Sequence, residues 1–531
     1  MLARFLSSAA LLGLSAGMAS AEFTVNILHI NDMHSRIQPI SRFDSTCSAE
    51  DDAAGECFGG AARVATKIGE LRAELDGQNV LVLDAGDQFQ GSLFFTTYEG
   101  LAAAEIMNAI GFDAMTLGNH EFNLGPAKLA AFVEALDFPV VAGSLDLSRS
   151  EELGGIVQDT LVLEVGGERI GIVSAVASDT PELSSPGPNV IFTNEIDAIA
   201  ADVAALQEQG VEKIIALTHV GLPEDIRIAE AVDGIDAIIG GHSHTYLSAS
   251  DPDRAGAYPT YATAPDGTLV PIVQAYAYSK YVGHLVLTFD DEGNVMEAGG
   301  DALLLDASVT PDPQIAARVE ELAGPIQEMM TEVVSEASAA IEGSREVCRA
   351  MECAMGNLVA DAMLDRTAGQ GVTIAFQNGG GLRASIDVGE VTMGEVVTVL
   401  PFQNTLATFE GTGQMVIDAL ENGLSQVEEG AGRFPQVAGM TFTWDPSAEP
   451  GSRVVEVLVA EGDGFVPIDP EATYGIVTNN FMRNGGDGYA MFRNGMNAYD
   501  FGPGLEIVVA DYLAANAPYT PYTDGRLSAV E

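Results

Sequence analysis

The chain has 531 residues, with 77 Asp and Glu against 23 Lys and Arg, so its formal net charge is −54. The length predicts two to four domains with ample core, and the charge argues against binding to a nucleic acid polymer or to an anionic membrane. The acidic residues are spread along the chain, a pattern that suits solubility in salty water. Adaptation to salt is a hypothesis, which an unchanged melting temperature from near-zero to about 1 M salt would contradict.

Residues 1–21 have the pattern of a secretory signal peptide. Arg4 supplies a short positive segment, residues 5–14 are mostly apolar, and Ala19-Ser20-Ala21 matches an A-x-A cleavage site. The apolar part is too short to span a bilayer, and no hydrophobic C-terminal tail indicates a lipid anchor. We therefore expect a periplasmic or extracellular protein without a membrane anchor, whose mature chain begins near Glu22.

Residues 22–310 alternate short buried strands with helical stretches, which is α/β layering. Helices are predicted at residues 61–75 and 102–110. Five short apolar runs are predicted strands that end in residues able to bind metal ions: 25–30 before Asp32 and His34, 80–83 before Asp87, 114–117 before Asn119 and His120, 214–217 before His219, and 237–239 before His242 and His244. Because α/β sheets place their sites at the carboxyl ends of strands, we expect these five ends to meet.

Five of the seven histidines lie in these strand-end loops, which chance scatter would not produce. A single one of these side chains can equally cap a helix or bind backbone groups. Together, mixed Asp, Asn and His ligands suit two divalent cations, and Asp87 is the candidate bridge. Two cations about 3.5–4 Å apart can hold a phosphate and activate water. The sequence has a Gly-x-Ser-x-Gly match only at residues 13–17, inside the predicted signal peptide, and a Walker-type phosphate loop is absent.

The four cysteines form two local pairs, Cys47 with Cys57 and Cys348 with Cys353. Two short loops closed by disulfides fit an oxidising compartment. The alternative is a four-cysteine zinc site, which is disfavoured because neither pair has the Cys-x-x-Cys spacing. The first pair lies in a polar, acidic insertion that we expect to form a stapled surface loop.

Residues 313–334 carry apolar side chains at helical spacing. The Gly324-Pro325 pair is expected to kink or split this helix. We assign residues 311–335 to a linker helix, although an ordinary surface helix of the first half would give the same pattern. Residues 336–531 form the last predicted domain, with a helix near 355–364 and glycine-rich loops at 378–381 and 484–488.

Motifs in both halves resemble known families. Asn-Asp-Met-His-Ser at 31–35, Gly-Asp at 86–87, Gly-Asn-His-Glu at 118–121, Thr-His at 218–219 and Gly-His-Ser-His at 241–244 resemble a calcineurin-like metallophosphoesterase. The secreted 5′-nucleotidase family is resembled by residues 348–353, 356–358, 377–383, 400–402, 480–481 and 485–488. The resemblance implies an α/β protein with an N-terminal four-layer α/β/β/α metallophosphoesterase sandwich, a linker helix and a C-terminal α/β substrate-binding domain.

The resemblance also implies two divalent ions. One would be held by Asp32, His34, Asp87 and His244, and the other by Asp87, Asn119, His219 and His242. Zinc is the first expectation, with manganese, cobalt, magnesium or calcium as alternatives. The position of His244 carries other polar residues, Gln or Asn among them, elsewhere in the family.

His120 is the implied catalytic residue, which would contact the phosphoryl group and stabilise charge in the transition state. The family follows it with an Asp three residues on, and this chain has Asn123 there. An amide cannot stabilise an imidazolium as a carboxylate does, so we expect a lower pKa for His120 and less loss of activity at mildly acidic pH. An unchanged pH–rate profile in Asn123→Asp would contradict this coupling. The alternative is that His120 acts from its position alone.

The second half supplies groups that suit a nucleotide. Arg349 and Arg383 offer planar forks for phosphate or ribose oxygens. Phe402 and Phe481 can sandwich the base, at about 1–3 kcal/mol per base, although without the resemblance they would more often be core residues. The family places Asp487 on the ribose hydroxyls and Asn378 near the base. A Cys348–Cys353 disulfide would fix the backbone that carries Arg349.

The leading expectation is a secreted, metal-dependent 5′-nucleotidase, monomeric or homodimeric, that hydrolyses nucleoside 5′-monophosphates such as AMP with a metal-activated water. The nearest alternative is a pyrophosphatase that acts on UDP-sugars, nucleoside diphosphates or NAD at the same site. A 2′,3′-cyclic phosphodiesterase and a sulfur-ester hydrolase agree less well with the arginine and phenylalanine set. A non-catalytic nucleotide-binding surface protein would have lost ligand residues, and the sequence shows no such loss.

Overall fold

The computed structural model describes residues 22–530 except 43, 45, 48, 403, 463 and 501. The predicted signal peptide lies outside these residues and stays a prediction. Within the described part of the chain, no helix is both long and apolar enough to cross a membrane.

The elements of the first half follow in chain order. Its helices, with the one that follows it, are α1 (Ala49–Ala54), α2 (Ala61–Glu74), α3 (Leu93–Tyr98), α4 (Leu101–Ile110), α5 (Pro126–Ala135), α6 (Thr180–Leu183), α7 (Glu195–Glu208), α8 (Leu222–Ala231) and α9 (Pro313–Met330). Its strands are β1 (Phe23–Ile30), β2 (Ile40–Ser41), β3 (Cys57–Phe58), β4 (Asn79–Asp84), β5 (Ala114–Thr116), β6 (Val140–Val141), β7 (Leu145–Asp146), β8 (Val157–Gln158), β9 (Leu161–Val165), β10 (Glu168–Val176), β11 (Ile191–Phe192), β12 (Lys213–His219), β13 (Ala237–Ile239), β14 (Leu247–Ser248), β15 (Gly256–Ala257), β16 (Thr260–Thr263), β17 (Leu269–Val273), β18 (Tyr281–Phe289) and β19 (Val295–Leu304).

The second half has helices α10 (Arg345–Cys348), α11 (Ala354–Arg366), α12 (Met393–Val399), α13 (Gly413–Leu424), α14 (Asn480–Arg483) and α15 (Leu505–Ala515). Its strands are β20 (Val333–Ala337), β21 (Val372–Asn378), β22 (Gly389–Thr392), β23 (Leu406–Thr412), β24 (Pro435–Ala438), β25 (Met440–Trp444), β26 (Val454–Glu461), β27 (Gly464–Pro467), β28 (Thr473–Asn479), β29 (Met496–Tyr499) and β30 (Leu527–Ala529). Short 3-10 turns occupy His120–Phe122, Gly379–Gly381, Val427–Glu429, Gly486–Gly488 and Ala490–Asn494.

The first half is the predicted four-layer sandwich. A seven-stranded sheet, β19-β18-β1-β4-β5-β6-β8, faces a six-stranded sheet, β16-β17-β13-β12-β10-β9. Val25 and Ile27 of β1 pack against Ile172 and Ile215 of the other sheet. The opposite face of the first sheet is covered by α2, α4 and α5, and that of the second by α7 and α8. The central strands of both sheets are largely buried on both faces, which explains why they are continuous apolar runs.

Parallel pairing brings the functional loops together. β1 pairs with β4 and β4 with β5, all in parallel, while β10, β12 and β13 form a parallel set in the other sheet. Neighbouring parallel strands end at the same edge of a sheet, so the loops after β1, β4, β5, β12 and β13 meet there. These are the five strands predicted from the apolar runs.

The helix α9 contacts both halves of the chain. It buries Ile315, Val319, Leu322 and Ile326 in a cluster that includes side chains of α2 and α3 from the first half and of α12 and α15 from the second. It runs as one element through Pro325, so the helix is not split there, and the expected kink stays a prediction. The predicted domain boundaries at 21, 310 and 335 are not tested by these contacts.

The predicted linker helix is also too long at its C-terminal end. The helix ends at Met330, and residues 333–337 form β20, which pairs with β22. Val333 and Val334 are β-branched and suit a strand. The strand that pairs with β20 is β22, more than fifty residues later in the sequence. The helical spacing of the residues before β20 therefore does not indicate a strand.

The second half contains a five-stranded sheet, β24-β21-β28-β23-β29, and a four-stranded sheet, β27-β26-β25-β30. β21 and β28 are parallel neighbours. The glycine-rich loop after Asn378 and the segment of Phe481 therefore leave the same edge of the larger sheet. The predicted helix at 355–364 is the central part of α11.

Both predicted disulfides are present, Cys47–Cys57 and Cys348–Cys353. All four cysteines are thus paired, which excludes the four-cysteine zinc alternative. The loop closed by the first disulfide contains the short helix α1.

Candidate active site

The five strand-end loops converge on one buried cluster. Asp32 and Asp87, 0% and 2% exposed, lie at its centre. Three overlapping groups have potential ligand atoms within 4.8 Å of one another: Asp32, His34 and His244; His34, Asp87 and His120; and Asp87, His219 and His242. Asp87 belongs to two of the three groups, as expected of a bridging ligand.

The distances define two neighbouring ligand sets. His244 Nε2 lies 3.1 Å from Asp32 Oδ1 and 3.0 Å from His34 Nε2. His219 Nε2 lies 3.0 Å from Asp87 Oδ2, and His34 Nε2 lies 3.8 Å from that same oxygen. Asp87 therefore stands between the two sets. Asn119 belongs to the second, because its Oδ1 lies 2.8 Å from Nδ1 of His242.

The donor set fits divalent cations. Nδ1 of His34 lies 3.1 Å from Phe89 O and Nδ1 of His219 lies 2.6 Å from Ala85 O, so both rings donate there and direct Nε2 toward the carboxylates. Within the described residues, the ion pairs of Asp32 and Asp87 are formed with histidines only. Two buried carboxylates without Lys or Arg, ringed by imidazoles, form a site that attracts cations.

The backbone of the ligand loops is strained. Asp32, His34, Asp87, His242 and His244 all have positive φ, between 48° and 75°. Such conformations cost of order 1–3 kcal/mol each and cluster at functional sites. Hydrogen bonds between the loops offset this cost: Asp32 N donates to Gly86 O and His34 N to Asp87 O, both at 2.9 Å.

Glu121 is a buried carboxylate that ties two ligand loops together. Its Oε2 accepts from the backbone N–H groups of Gly118 and Asp87, at 2.6 and 3.0 Å. Its Oε1 accepts from those of Gln88 and Phe89, at 2.7 and 3.2 Å. Burial raises the pKa of Glu121 to about 7, although four donated N–H groups match the ionised form. Glu121 therefore sets the position of the loop that carries Asp87 relative to the loop that carries Asn119.

His120 lies beside these ligands. Its Nε2 is 4.0 Å from Asp87 Oδ2, and its Nδ1 is 2.7 Å from Asn123 Oδ1. Burial lowers the pKa of His120. The amide of Asn123 also donates to Ser184 Oγ, at 3.3 Å. The structure thus pairs the two residues that the sequence singled out, while their catalytic roles stay predictions.

The cluster opens into a cleft between the two halves, a cavity of about 730 Å³. From the first half it is lined by Arg36, Asp44, His244, Tyr276 and Tyr278. From the second half it is lined by all six predicted substrate residues, Arg349, Asn378, Arg383, Phe402, Phe481 and Asp487.

The side of the cavity that belongs to the second half is held partly by contacts among its own residues. The Arg383 guanidinium lies over the Phe402 ring, 5.2 Å from its centre. Asn378 donates to Asp487 Oδ2 at 2.7 Å. Phe481 is 44% exposed, so one face of its ring is open to the cavity. The interpretation of the two phenylalanines as core residues is therefore disfavoured.

Four residues of this site were missed by the sequence reasoning. Glu121 lies inside a recognised motif, and Gln274 directly follows the strand β17, a position that the strand-end rule covers. Gln274 accepts from Thr245 N and donates to Gly241 O, each at 3.0 Å, and so supports the His242 loop. Arg36 and Tyr278 carry no local signal.

Comparisons with known proteins cover both halves. Residues 25–246 match the family described as calcineurin-like phosphoesterase, and residues 331–494 match the 5′-nucleotidase C-terminal domain. A snake venom 5′-nucleotidase from Naja atra is 36% identical over 528 residues, or 95% of this chain and 98% of that protein.

Two solved structures are similar to almost the whole chain. A 5′-nucleotidase precursor from Thermus thermophilus is 40% identical, with a TM-score of 0.63 over 96% of this chain and 99% of that one. A Haemophilus influenzae NAD nucleotidase is 27% identical, with a TM-score of 0.76 over 96% of this chain and 100% of that one.

Proposed function

Because the chain belongs to the 5′-nucleotidase family of calcineurin-like phosphoesterases and is therefore a metal-dependent phosphoester hydrolase, we propose that it hydrolyses nucleoside 5′-monophosphates such as AMP to nucleoside and phosphate. One observation carries the proposal. The histidine and aspartate cluster and the wall of arginines and phenylalanines border the same cavity, which His244 joins from the first half. A phosphate can thus reach the cluster while the base lies against the aromatic rings.

Two divalent cations are part of the proposal. Asp32, His34, Asp87 and His244 would hold one, and Asp87, Asn119, His219 and His242 the other. Imidazole-rich sets favour zinc, with manganese, cobalt, magnesium and calcium as alternatives. When bound, the cations supply Lewis-acid stabilisation of the phosphoryl oxygens and lower the pKa of water.

The side chains around the cluster perform the remaining tasks. His120 directs Nε2 toward the Asp87 side of the site and can donate to a phosphoryl oxygen as charge develops there. Asn123 holds the opposite ring nitrogen. Arg349 and Arg383 bring positive charge to the cleft of a very acidic chain. Asp487 can accept from the ribose hydroxyls, beside the amide of Asn378.

The base is proposed to stack between the rings of Phe402 and Phe481. Stacking tolerates every base, because each base has a π face. We therefore expect modest discrimination among AMP, GMP, UMP and CMP.

A location outside the cytoplasm is also proposed. Two disulfides support it, as does the similarity to a venom protein. A monomer or a homodimer stays the expected state of assembly.

A second candidate uses the same site. It is the hydrolysis of NAD, UDP-sugars or nucleoside diphosphates, and the likeness to the Haemophilus NAD nucleotidase supports NAD among these substrates. A non-catalytic nucleotide-binding protein gains no support, because every expected ligand position carries a metal-binding side chain.

The test is a reconstitution assay. Protein stripped of metal would be reloaded with zinc, manganese, cobalt, magnesium or calcium and given AMP, ADP, UDP-glucose or NAD. We expect phosphate release from AMP to return with at least one of these metals. Cleavage of NAD or UDP-glucose without release of phosphate from AMP would favour the second candidate.

A further inference from the structure

Arg36 is a buried arginine in the wall of the cleft that lacks an ionic partner among the described residues. It is 6% exposed and lines the cavity. Its Nη2 donates weakly to Phe402 O, at 3.4 Å, and neither Nε nor Nη1 has a hydrogen-bond partner in the described part of the chain. A guanidinium left unpaired in a protein interior is costly, which indicates that an anion completes the site.

The nearest carboxylates do not serve as that partner. Asp44 accepts from Tyr276 Oη at 2.6 Å and from Lys280 Nζ at 2.8 Å, so both of its oxygens are engaged. Glu506 acts on Arg36 only from a longer distance, and one of its own oxygens is unpartnered within the described chain. Burial raises the pKa of Glu506 to about 7, which makes it a weak counterion.

Arg36 lies between the histidine and aspartate cluster and the wall of arginines and phenylalanines. Its guanidinium carbon is 5.2 Å above the centre of the Tyr278 ring. That ring contacts the cluster, with its centre 5.2 Å from the His244 ring and 5.7 Å from the His34 ring. On its other side Arg36 contacts the backbone of Phe402. Tyr278 has a left-handed backbone, with φ 61°, and also lines the cavity.

We propose that Arg36 and the hydroxyl of Tyr278 form a subsite for a second phosphoryl group, the one that lies between the cations and the nucleoside in a nucleoside diphosphate or a dinucleotide. The inference rests on the proposed function and refines its substrate class. A nucleoside monophosphate carries a single phosphoryl group, which the cations take. A diphosphate is longer by one charged group, and that group has to cross the stretch of cleft that Arg36 and Tyr278 border.

The test compares two ligands that the loaded enzyme cannot hydrolyse. One is ADP with its bridging oxygen replaced by CH₂, and the other is the 5′-phosphonate analogue of AMP. In Arg36→Gln, we expect the Kd of the ADP analogue to rise by about tenfold, or about 1.4 kcal/mol, and that of the AMP analogue by less than about threefold. Tyr278→Phe keeps the ring packing and should shift the Kd of the ADP analogue alone, by a smaller factor.

Arg493→Gln is the matched control. It removes the same charge from the same cleft, beside Asn484, where Arg493 donates to a backbone carbonyl. It should affect both analogues alike. Equal shifts for the two analogues in Arg36→Gln, or unchanged binding of the ADP analogue in both Arg36→Gln and Tyr278→Phe, would overturn the subsite. Failure of the wild-type enzyme to release phosphate from AMP would overturn the proposed function instead, and the binding comparison would still decide the subsite.

Discussion

Nδ1 of His120 lies 2.7 Å from Oδ1 of Asn123, so an amide, not a carboxylate, orients the imidazole beside the metal cluster. We propose that Asn123 is a positioning residue, which would act through His120. In Asn123→Ala we expect kcat to fall roughly fivefold with KM little changed, since a lost hydrogen bond of about 1 kcal/mol lets the ring rotate. Steady-state kinetics with AMP would measure kcat and KM separately.

Asn123→Asp is the conservative counterpart of that variant. Its carboxylate still accepts from the ring, so kcat should stay near the wild-type value. Equal losses in the alanine and aspartate variants, or a loss seen only in KM, would contradict a positioning role. The expected change of the pH–rate profile in Asn123→Asp stays a prediction.

Glu121 links the loops that carry Asp87 and Asn119, so its substitution tests whether these loops control metal binding. Glu121→Gln places an amide donor against backbone N–H groups that need an acceptor. The loop that carries Asp87 should shift, and metal affinity should fall roughly 10- to 100-fold, as for other substitutions behind metal ligands. Competition with a chelator, read by elemental analysis, would measure it without reference to turnover.

Glu395→Gln is a control for this experiment. Glu395 also accepts a backbone N–H, from Thr392 at 2.8 Å, but it caps the helix α12 in the second half. It should leave metal affinity unchanged. A Glu121→Gln protein that binds both ions as tightly as the wild type would show that its four hydrogen bonds do not control the site.

The Cys348–Cys353 disulfide closes the loop that carries Arg349. Replacing both cysteines by serine should destabilise the protein by about 2 kcal/mol. It should also raise KM roughly three- to tenfold, because the arginine must then be ordered on binding. The rise in KM should stay within this range, because Gln436 also holds the loop by donating to Cys348 O and Met351 O.

Replacing Cys47 and Cys57 by serine provides the comparison. That disulfide closes a different loop, in the first half of the chain, which does not contain Arg349. We expect a loss of stability in thermal melts with KM unchanged. A KM that is also unchanged without the Cys348–Cys353 bond would mean that this disulfide serves stability alone.

The buried carboxyl group of Glu506 should make the stability of the folded protein depend on pH. Burial raises the pKa of Glu506 to about 7 in the folded protein, above the 4.5 of an exposed glutamate. The folded state therefore binds this proton more tightly, and stability is lost as pH rises from about 4.5 through about 7. Glu506→Gln removes this loss and should be about 3 kcal/mol more stable than the wild type at about pH 8.

At about pH 5 the same variant should differ little from the wild type. Chemical denaturation at the two pH values would measure the difference. A gap between the two proteins that is constant across this range would show that Glu506 does not titrate there.

Much of the first half could be predicted because its central strands are largely buried on both faces. The run at residues 237–239 is observed as β13 with the same bounds, and the run at 25–30 is the greater part of β1. Parallel strands end at one edge, so the meeting of Asp32, Asp87 and His219 followed from the strand ends alone.

The remainder depends on contacts between distant segments. The strand β20 forms because β22 pairs with it, which the helical spacing before it does not reveal. Arg36 is buried partly because Phe402 of the other half lies against it. The carboxylate of Glu121 acquires its role only when two loops approach it from different strands. Such features arise from tertiary packing and leave no periodic pattern.

Asp87 is proposed to lie between two cations that face the cleft between the two halves of the chain. The most direct test is metal content and phosphate release from AMP in the wild type and in Asp87→Ala. We expect two divalent ions per wild-type chain, and both lower metal occupancy and loss of nearly all turnover in Asp87→Ala. Full turnover of AMP by Asp87→Ala, with metal content unchanged, would contradict it.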